Sequence, residues 1–274
     1  MKKIIVPTDF SKASEAAVHY AAWLAQKLAA KVELVHVLEF RTTDNSLHNW
    51  KAIEHEMLEA ARESAARLMS RVRNPVEIIY KHLKGDRFDQ VISDYATHEK
   101  ADLVVIGSHG ASGLKKALFG SNAAMLIDNC SKPVIVVPDN FEFEGIKTIV
   151  YATDMVHLDE EIKTIARLAK PLDAEIIILH ITDEDARKRD RSNLVDILTR
   201  MAEYKKIDFR VVGSNDVVTG IENLISSIKP DMLAMFTHRR DITDKLLGRG
   251  ITRQLAFHNQ VPLMVVNRTA SRHE

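Results

Sequence analysis

The two halves of this chain carry the same series of strand-like and helix-like segments. Residues 3–9, KIIVPTD, match residues 147–154, KTIVYATD, and both are short apolar runs that end in Thr-Asp. Further on, residues 104–110, VVIGSHG, match residues 233–239, LAMFTHR. Because the matches occur in the same order, the sequence predicts an internal duplication and therefore two similar domains.

Each half alternates strand and helix patterns. In the first half, strands are predicted near residues 3–6, 32–37, 76–80, 103–106 and 133–137, and helices near residues 11–28, 50–72, 86–98 and 121–129. This alternation is typical of parallel βαβ units in a doubly wound sheet with helices on both faces. Ligands of such sheets bind beyond the carboxyl ends of the strands, where Asp9, Val37 and Gly107 fall in this sequence.

The domain boundaries follow from the repeat. We expect a first domain over residues 1–138, a linker over residues 139–146 and a second domain over residues 147–274. The chain has 38 basic and 38 acidic residues, so its formal net charge is zero. A nucleic-acid-binding protein usually has a basic surplus, so nucleic acid is not an expected partner.

Cellular location is predicted from cysteine use and hydropathy. The single cysteine, Cys130, excludes an intramolecular disulfide and fits a reducing compartment. No apolar run approaches the roughly 20 residues that a membrane-spanning helix needs. The first ten residues do not have the pattern of a signal peptide. We therefore expect a cytoplasmic protein without a membrane partner.

The most informative segment is the glycine-rich stretch at residues 107–121, GSHGASGLKKALFGS. It follows an apolar run typical of a buried strand and precedes a predicted helix. Glycine lets the backbone approach a ligand closely, and a helix N-terminus offers unpaired N–H groups and a partial positive charge. The segment therefore predicts an anion site suited to phosphates.

The spacing of Gly107, Gly110, Gly120 and Ser121 resembles the G-x2-G-x9-G-[S/T] signature of ATP-binding universal stress proteins. The segments IIVPTDFS, LVHV and KPVIVVP are also similar to that family. The resemblance covers both halves and implies two Rossmann-like domains of the adenine nucleotide α-hydrolase-like type, each with a five-stranded parallel sheet. It further implies that the two domains pair within the chain, commonly through their last strands, and that the protein forms a homodimer.

The resemblance also implies a role for each site residue. Asp9 and Val37 would lie near the ribose and the adenine, with Val37 offering backbone groups to the base. Gly107 and Gly110 would lie near the ribose and phosphates, and the following pair, Gly120-Ser121, near the outer phosphates. ATP or a related adenine nucleotide is the expected ligand, with Mg²⁺ held mainly by the phosphates.

Several of these residues have a structural interpretation as well. Asp9 also suits the cap of the following helix, and Val37 is by default a core residue. Lys115-Lys116 fits a solvated face better than a phosphate contact. His109 has a counterpart in His238, where the glycines do not persist, which favours a role in packing or loop hydrogen bonding.

The second half departs from the signature. Phe236 replaces Gly107, Arg239 replaces Gly110, and Arg249-Gly250 replaces Gly120-Ser121. Asp154 remains in the position of Asp9. The sequence therefore predicts that this half has lost the triphosphate cradle and is kept for domain pairing, with binding of a different anion as the alternative.

Three functions remain open from the sequence. The first is a nucleotide-binding stress or regulatory protein without dedicated turnover. The second is an enzyme, either a slow ATPase or a nucleotidyl-transfer enzyme, although the sequence contains no GxxxxGK[ST] motif and no evident catalytic residue. The third is an interaction protein that binds no nucleotide.

Overall fold

A computed structural model describes residues 1–39, 50–108, 120–139, 141, 143–182, 191–237 and 261–267. The chain divides into two units, Met1–Asn140 and Phe141–Glu274. Gly110, His109, the Lys115-Lys116 pair and the 238–250 segment lie outside the described residues.

The first unit is a five-stranded parallel sheet with the order β3-β2-β1-β4-β5. Its elements are β1 (Lys3–Pro7), α1 (Lys12–Leu28), β2 (Lys31–Glu39), α2 (Trp50–Ser70), β3 (Ile78–Gly85), α3 (Phe88–His98), β4 (Leu103–Gly107), α4 (Ser121–Asn129) and β5 (Val134–Val137). Strands β2 and β4 lie on either side of β1, so the strand order reverses between β1 and β4.

The second unit repeats this topology with the order β10-β9-β6-β7-β8, again in parallel register. Its described elements are β6 (Thr148–Ala152), α5 (Leu158–Leu172), β7 (Glu175–Thr182), α6 (Arg191–Ala202), β8 (Ile207–Gly213), α7 (Val217–Ile228), β9 (Met232–Thr237) and β10 (Leu263–Asn267). The predicted fold class, two α/β domains with parallel five-stranded sheets, is confirmed.

The central strands form the core of each unit. Every residue of β4 and of β5 is buried, as expected for strands that are covered on both faces. In α1, an apolar stripe packs inward, with Ala17, Ala21 and Leu24 fully buried. The helix ends at Ala29, which adopts the left-handed conformation common after a last helical turn.

The predicted bounds of the third strand were wrong. The apolar pattern placed it at residues 76–80, whereas β3 covers Ile78–Gly85 and pairs with β2 along its whole length. The segment after Tyr80 contains lysines and a histidine, and such polar residues are tolerated because β3 is an edge strand of its unit. In the part of the chain that the structure describes, no helix has the length and apolar character needed to cross a membrane.

Candidate functional site

The candidate site lies at the carboxyl edge of the first sheet, where β1 and β4 are neighbours. Asp9 comes two residues after the end of β1, and Gly107 is the last residue of β4. This is the point at which the strand order reverses, and ligands of parallel α/β sheets bind at such points. The sheet therefore brings together the two parts of the sequence that were predicted to bind a ligand.

A tight turn fixes Asp9 at this edge. The Thr8 hydroxyl accepts a hydrogen bond from the Phe10 N–H at 3.0 Å, and Asp9 Oδ1 accepts one from the Ser11 N–H at 3.0 Å. Phe10 has a φ of 62°, which is uncommon for a residue with a large side chain. The backbone strain is held by these two hydrogen bonds, so the exposed Asp9 carboxylate is positioned before any ligand arrives.

The same turn starts α1. Ser11 is the N-cap, and its hydroxyl accepts a hydrogen bond from the Ser14 N–H at 3.3 Å. The buried Thr8 hydroxyl donates to Ser14 Oγ at 3.0 Å. Because Ser11 caps the helix, Asp9 is not needed as the cap, and its side chain is exposed. The structural interpretation of Asp9 is therefore partly correct, because one of its oxygens organises the turn.

The end of β2 forms the next part of the edge. Val37 pairs with Leu83 of β3 and is half-buried, so its placement is compatible with both predicted interpretations. The neighbouring His36 ring packs against Phe10, with 4.9 Å between ring centroids. Burial lowers the pKa of His36, and the nearby Asp9 carboxylate opposes that shift. The imidazole is therefore held neutral beside a charged carboxylate.

Gly107 has a packing role that the sequence analysis did not include. A Cβ atom at this residue would lie 2.4 Å from the carbonyl oxygen of Ala13 and 2.5 Å from its carbonyl carbon. Both distances are far below the normal separation of nonbonded heavy atoms. Only glycine therefore allows the first turn of α1 to rest against the end of β4. The predicted phosphate contact of Gly107 stays a prediction.

The glycine-rich loop is closed at its base. The Gly120 N–H donates to the Ser108 carbonyl oxygen at 2.6 Å, and the Ser108 N–H donates to Val137 at 2.9 Å. The Ser108 hydroxyl donates to Asp139 Oδ1 at 2.8 Å. These bonds hold the start of α4 beside the end of β4, so both ends of the predicted phosphate loop lie at one point of the edge.

The helix α4 begins at Ser121, as the sequence predicted. Its N-cap residue is Gly120, which has no side chain to accept a hydrogen bond from the first turn. The first N–H groups of a helix have no partner within the helix, and they are usually satisfied by a side-chain cap, by water or by a ligand. An anion is the strongest acceptor for such groups, and the exposed Ser121 hydroxyl lies next to them.

The second unit reproduces the Thr-Asp turn. The Thr153 hydroxyl accepts from the Met155 N–H at 3.0 Å, and Asp154 Oδ1 accepts from the Val156 N–H at 2.9 Å. Met155 has a φ of 71°, close to the value at Phe10. The duplication therefore preserves a strained turn in backbone detail, although the residues after the aspartate differ.

The end of β9 does not reproduce the end of β4. Phe236, at the position of Gly107, is buried and packs edge-to-face on Tyr151 with 5.7 Å between ring centroids. The Tyr151 hydroxyl donates to Glu161, a carboxylate that is only 2 % exposed. Burial raises the pKa of Tyr151, and Glu161 raises it further.

A phenylalanine at this position excludes the close helix approach that Gly107 permits. In the first unit α1 packs on β1, β4 and β5, whereas α5 packs chiefly on α6 and β7. The prediction that the second half differs from the first in its binding edge thus has a visible cause in the described part of the chain, although Arg239 and Arg249 lie outside it.

A shallow open recess lies beside the second turn. It is lined by Thr153, Asp154, His180 and the apolar side chains of their neighbours. The Nδ1 atom of His180 lies 3.1 Å from the Thr153 carbonyl oxygen, so the ring is tied to the turn. The polar side chains that line this recess, His180 and Asp154, are therefore already hydrogen-bonded within the turn.

Sequence reasoning missed Thr8, Ser14 and Ser108 as organisers of the site. The only signal for Thr8 was its recurrence as Thr153 before the matching aspartate. Ser108 gave no signal, because three of its hydrogen-bond partners, Gly120, Val137 and Asp139, are all distant from it in the sequence.

These features define an α/β protein with two parallel five-stranded sheets, the first of which has a glycine-capped helix start beside the end of β4. The sequence model of the universal stress protein family matches residues 1–138, and the chain belongs to that family. Universal stress protein MJ0577 of Methanocaldococcus jannaschii is 30% identical over 152 residues, which cover 50% of this chain and 94% of that protein.

Comparison with solved structures supports the two-domain architecture. A universal stress protein from Archaeoglobus fulgidus aligns with a TM-score of 0.76 over 97% of this chain and 98% of its own. The identity of that pair is 18%, so the similarity concerns the fold alone. Another universal stress protein, solved in complex with cAMP, is 23% identical over 51% of this chain with a TM-score of 0.36.

Proposed function

We propose that the first domain binds an adenine nucleotide, ATP with Mg²⁺, and that occupancy of this site regulates the protein in a stress response. The observation that carries the proposal is the glycine-capped start of α4, which the Gly120–Ser108 hydrogen bond holds beside the end of β4. Because the glycine spacing resembles that of ATP-binding universal stress proteins, ATP is the first ligand to test.

Each residue has a defined role in this proposal. The α4 N-terminus and the Ser121 hydroxyl bind the outer phosphates, because both present donors and the helix end has a partial positive charge. Asp9 accepts hydrogen bonds from the ribose hydroxyls, and the Val37 backbone meets the base. Gly110 lets the backbone of the loop come close to the ribose and the phosphates.

Two features make these residues fit a nucleotide, namely the N–H donors at the start of α4 and the small size of the glycines beside them. The absence of a Cβ at Gly107 lets the first turn of α1 rest against the end of β4, and Gly120 has no side chain that would cap the first turn of α4. The phosphates themselves hold the Mg²⁺. The proposal gives these residues binding roles and assigns none of them a catalytic role.

The first test is calorimetric titration of the full chain with ATP and Mg²⁺, after mass spectrometry has shown that no nucleotide co-purifies. We expect one site per chain. Ser121→Ala should weaken binding about tenfold, since a hydrogen bond to a charged group contributes about 1.5 kcal/mol.

The duplicated turn supplies a matched control. Asp9→Asn keeps the oxygen that accepts from Ser11 but removes the charge, and it should weaken binding. Asp154→Asn makes the same change in the second unit and should leave the titration unchanged. Loss of binding in both variants, or two sites in the parent protein, would show that the second half also takes nucleotide. No binding to empty protein would leave an interaction protein as the better account.

Phosphate release measured on the same samples separates regulation from turnover. Under the proposal, release is slow compared with nucleotide exchange. Pairing of the two domains and a homodimer stay predictions of the family resemblance, and a cytoplasmic location stays a prediction from cysteine use and hydropathy.

A further inference from the structure

Ser108 joins three segments of the chain at the carboxyl edge of the first sheet. Its N–H donates to the carbonyl oxygen of Val137, the last residue of β5, at 2.9 Å. Its carbonyl oxygen accepts from the Gly120 N–H at 2.6 Å, and its hydroxyl donates to Asp139 Oδ1 at 2.8 Å. The residue is only 6 % exposed, so the direction of its carbonyl group is set by these bonds.

The acceptor of the hydroxyl is an exposed carboxylate. Asp139 lies two residues beyond the end of β5 and is exposed to solvent. A hydrogen bond to an ionised acceptor is stronger than one between neutral groups, so Asp139 restrains the Ser108 side chain firmly. A negative charge at an edge that binds phosphates has an electrostatic cost, because it repels the ligand. A positional benefit is needed to offset that cost.

The second unit repeats this arrangement with uncharged groups. Thr237 occupies the position of Ser108, and its hydroxyl donates to Asn267 Oδ1. Both Thr237 and Asn267 are buried, and Asn267 is the last residue of β10. The two units therefore share a hydrogen bond between a hydroxyl at the end of one strand and an acceptor at the end of its neighbour. The carboxylate stands in the unit that has the glycine spacing.

We propose that Asp139 is a positioning residue of the nucleotide site and that it acts through Ser108 on the start of α4. The bond to Asp139 keeps the Ser108 carbonyl oxygen facing the Gly120 N–H. The following N–H groups of the first helical turn are then held in one direction, toward the outer phosphates. This inference rests on the proposed function, since it assigns a further residue to the same site.

The test compares alanine variants of the full chain in calorimetric titrations with ATP and Mg²⁺ and with AMP. Ser108→Ala and Asp139→Ala should each weaken ATP binding about tenfold, because each removes the same charge-assisted hydrogen bond. The AMP affinity should stay unchanged, since AMP lacks the outer phosphates that the start of α4 binds. The double variant should lose no more ATP affinity than either single variant, because both changes break one bond.

The second unit suggests the conservative variants. Ser108→Thr keeps a hydroxyl, as at Thr237, and Asp139→Asn keeps an oxygen acceptor while it removes the charge. Both should recover most of the ATP affinity that the alanine variants lose, and the asparagine variant also removes a charge that repels phosphate. The matched control, Asn267→Ala, breaks the corresponding bond of the second unit and should leave ATP binding unchanged.

The outcomes separate this proposal from its alternatives. If Asp139→Ala and Asp139→Asn both strengthen ATP binding, Asp139 acts only as a repelling charge and the proposal is wrong. Equal losses of ATP and AMP affinity would show a general structural role and would overturn it too. A parent that binds ATP, with alanine variants that bind it equally well, overturns this proposal alone. A parent that binds neither nucleotide overturns the proposed function as well.

Discussion

Substitution of Gly107 by alanine tests the packing of the binding edge most directly. The new Cβ would lie 2.4 Å from the Ala13 carbonyl oxygen and 2.5 Å from the carbonyl carbon. These atoms belong to the backbone, so no side-chain rotation relieves the contact, and the first turn of α1 must move by about 1 Å to restore normal contact distances. Overpacking of this kind costs about 3 kcal/mol.

The assay is urea unfolding followed by tryptophan fluorescence. Both tryptophans, Trp23 and Trp50, lie in the first unit, so the signal reports the unit that contains Gly107. A loss of about 3 kcal/mol should also lower the melting temperature by about 10 °C.

Gly120→Ala is the matched control for this experiment. Gly120 has a φ of −69° and a ψ of 142°, an extended conformation that any residue adopts. Its replacement should change stability by less than about 1 kcal/mol. If Gly107→Ala retains the parent stability, or if Gly120→Ala destabilises as much, the packing argument is wrong and the two glycines act alike.

Further predictions concern buried groups. Tyr151→Phe should destabilise the second unit by about 2 kcal/mol in calorimetric melting, because it leaves the buried Glu161 carboxyl without the phenol that donates to it; a neutral result would show that the pair contributes nothing. Burial lowers the pKa of His36 below its usual 6.5, so the unfolded chain binds the proton more readily, and the stability that this histidine contributes is full above pH 6.5 and is lost as the pH falls. His36→Gln should therefore make the acid-side loss of stability shallower in urea midpoints measured against pH, and an unchanged slope would contradict the argument. Burial raises the pKa of the Cys130 thiol to about 11, so a thiol reagent at neutral pH should label it only after unfolding, and rapid labelling of native protein would refute that.

Local patterns in the sequence predicted most of the architecture. The alternation of apolar runs and amphipathic stripes predicted both sheets and the start of α4 at Ser121. The pattern also predicted this serine as the capping residue of α4, which is wrong, because the N-cap is Gly120. The third strand was misplaced because its polar C-terminal part is an edge strand held by pairing with β2, a contact that local hydropathy does not encode.

The candidate site was predicted in part. The glycine spacing located the loop, and the repeated Thr-Asp located the turn opposite it. The hydrogen bonds that organise the site, from Thr8 to Ser14 and from Gly120 to Ser108, could not be predicted, since each depends on how the backbone turns bring polar groups together.

The sequence by itself determined the duplication, the parallel α/β class, the family and the position of the glycine-rich segment, since all of these follow from the order and spacing of residues along the chain. Only the tertiary structure decided why Gly107 must be glycine and why Phe236 changes the second edge. Those answers depend on contacts between a strand end and the helix that packs on it, and such contacts join residues that are far apart in sequence.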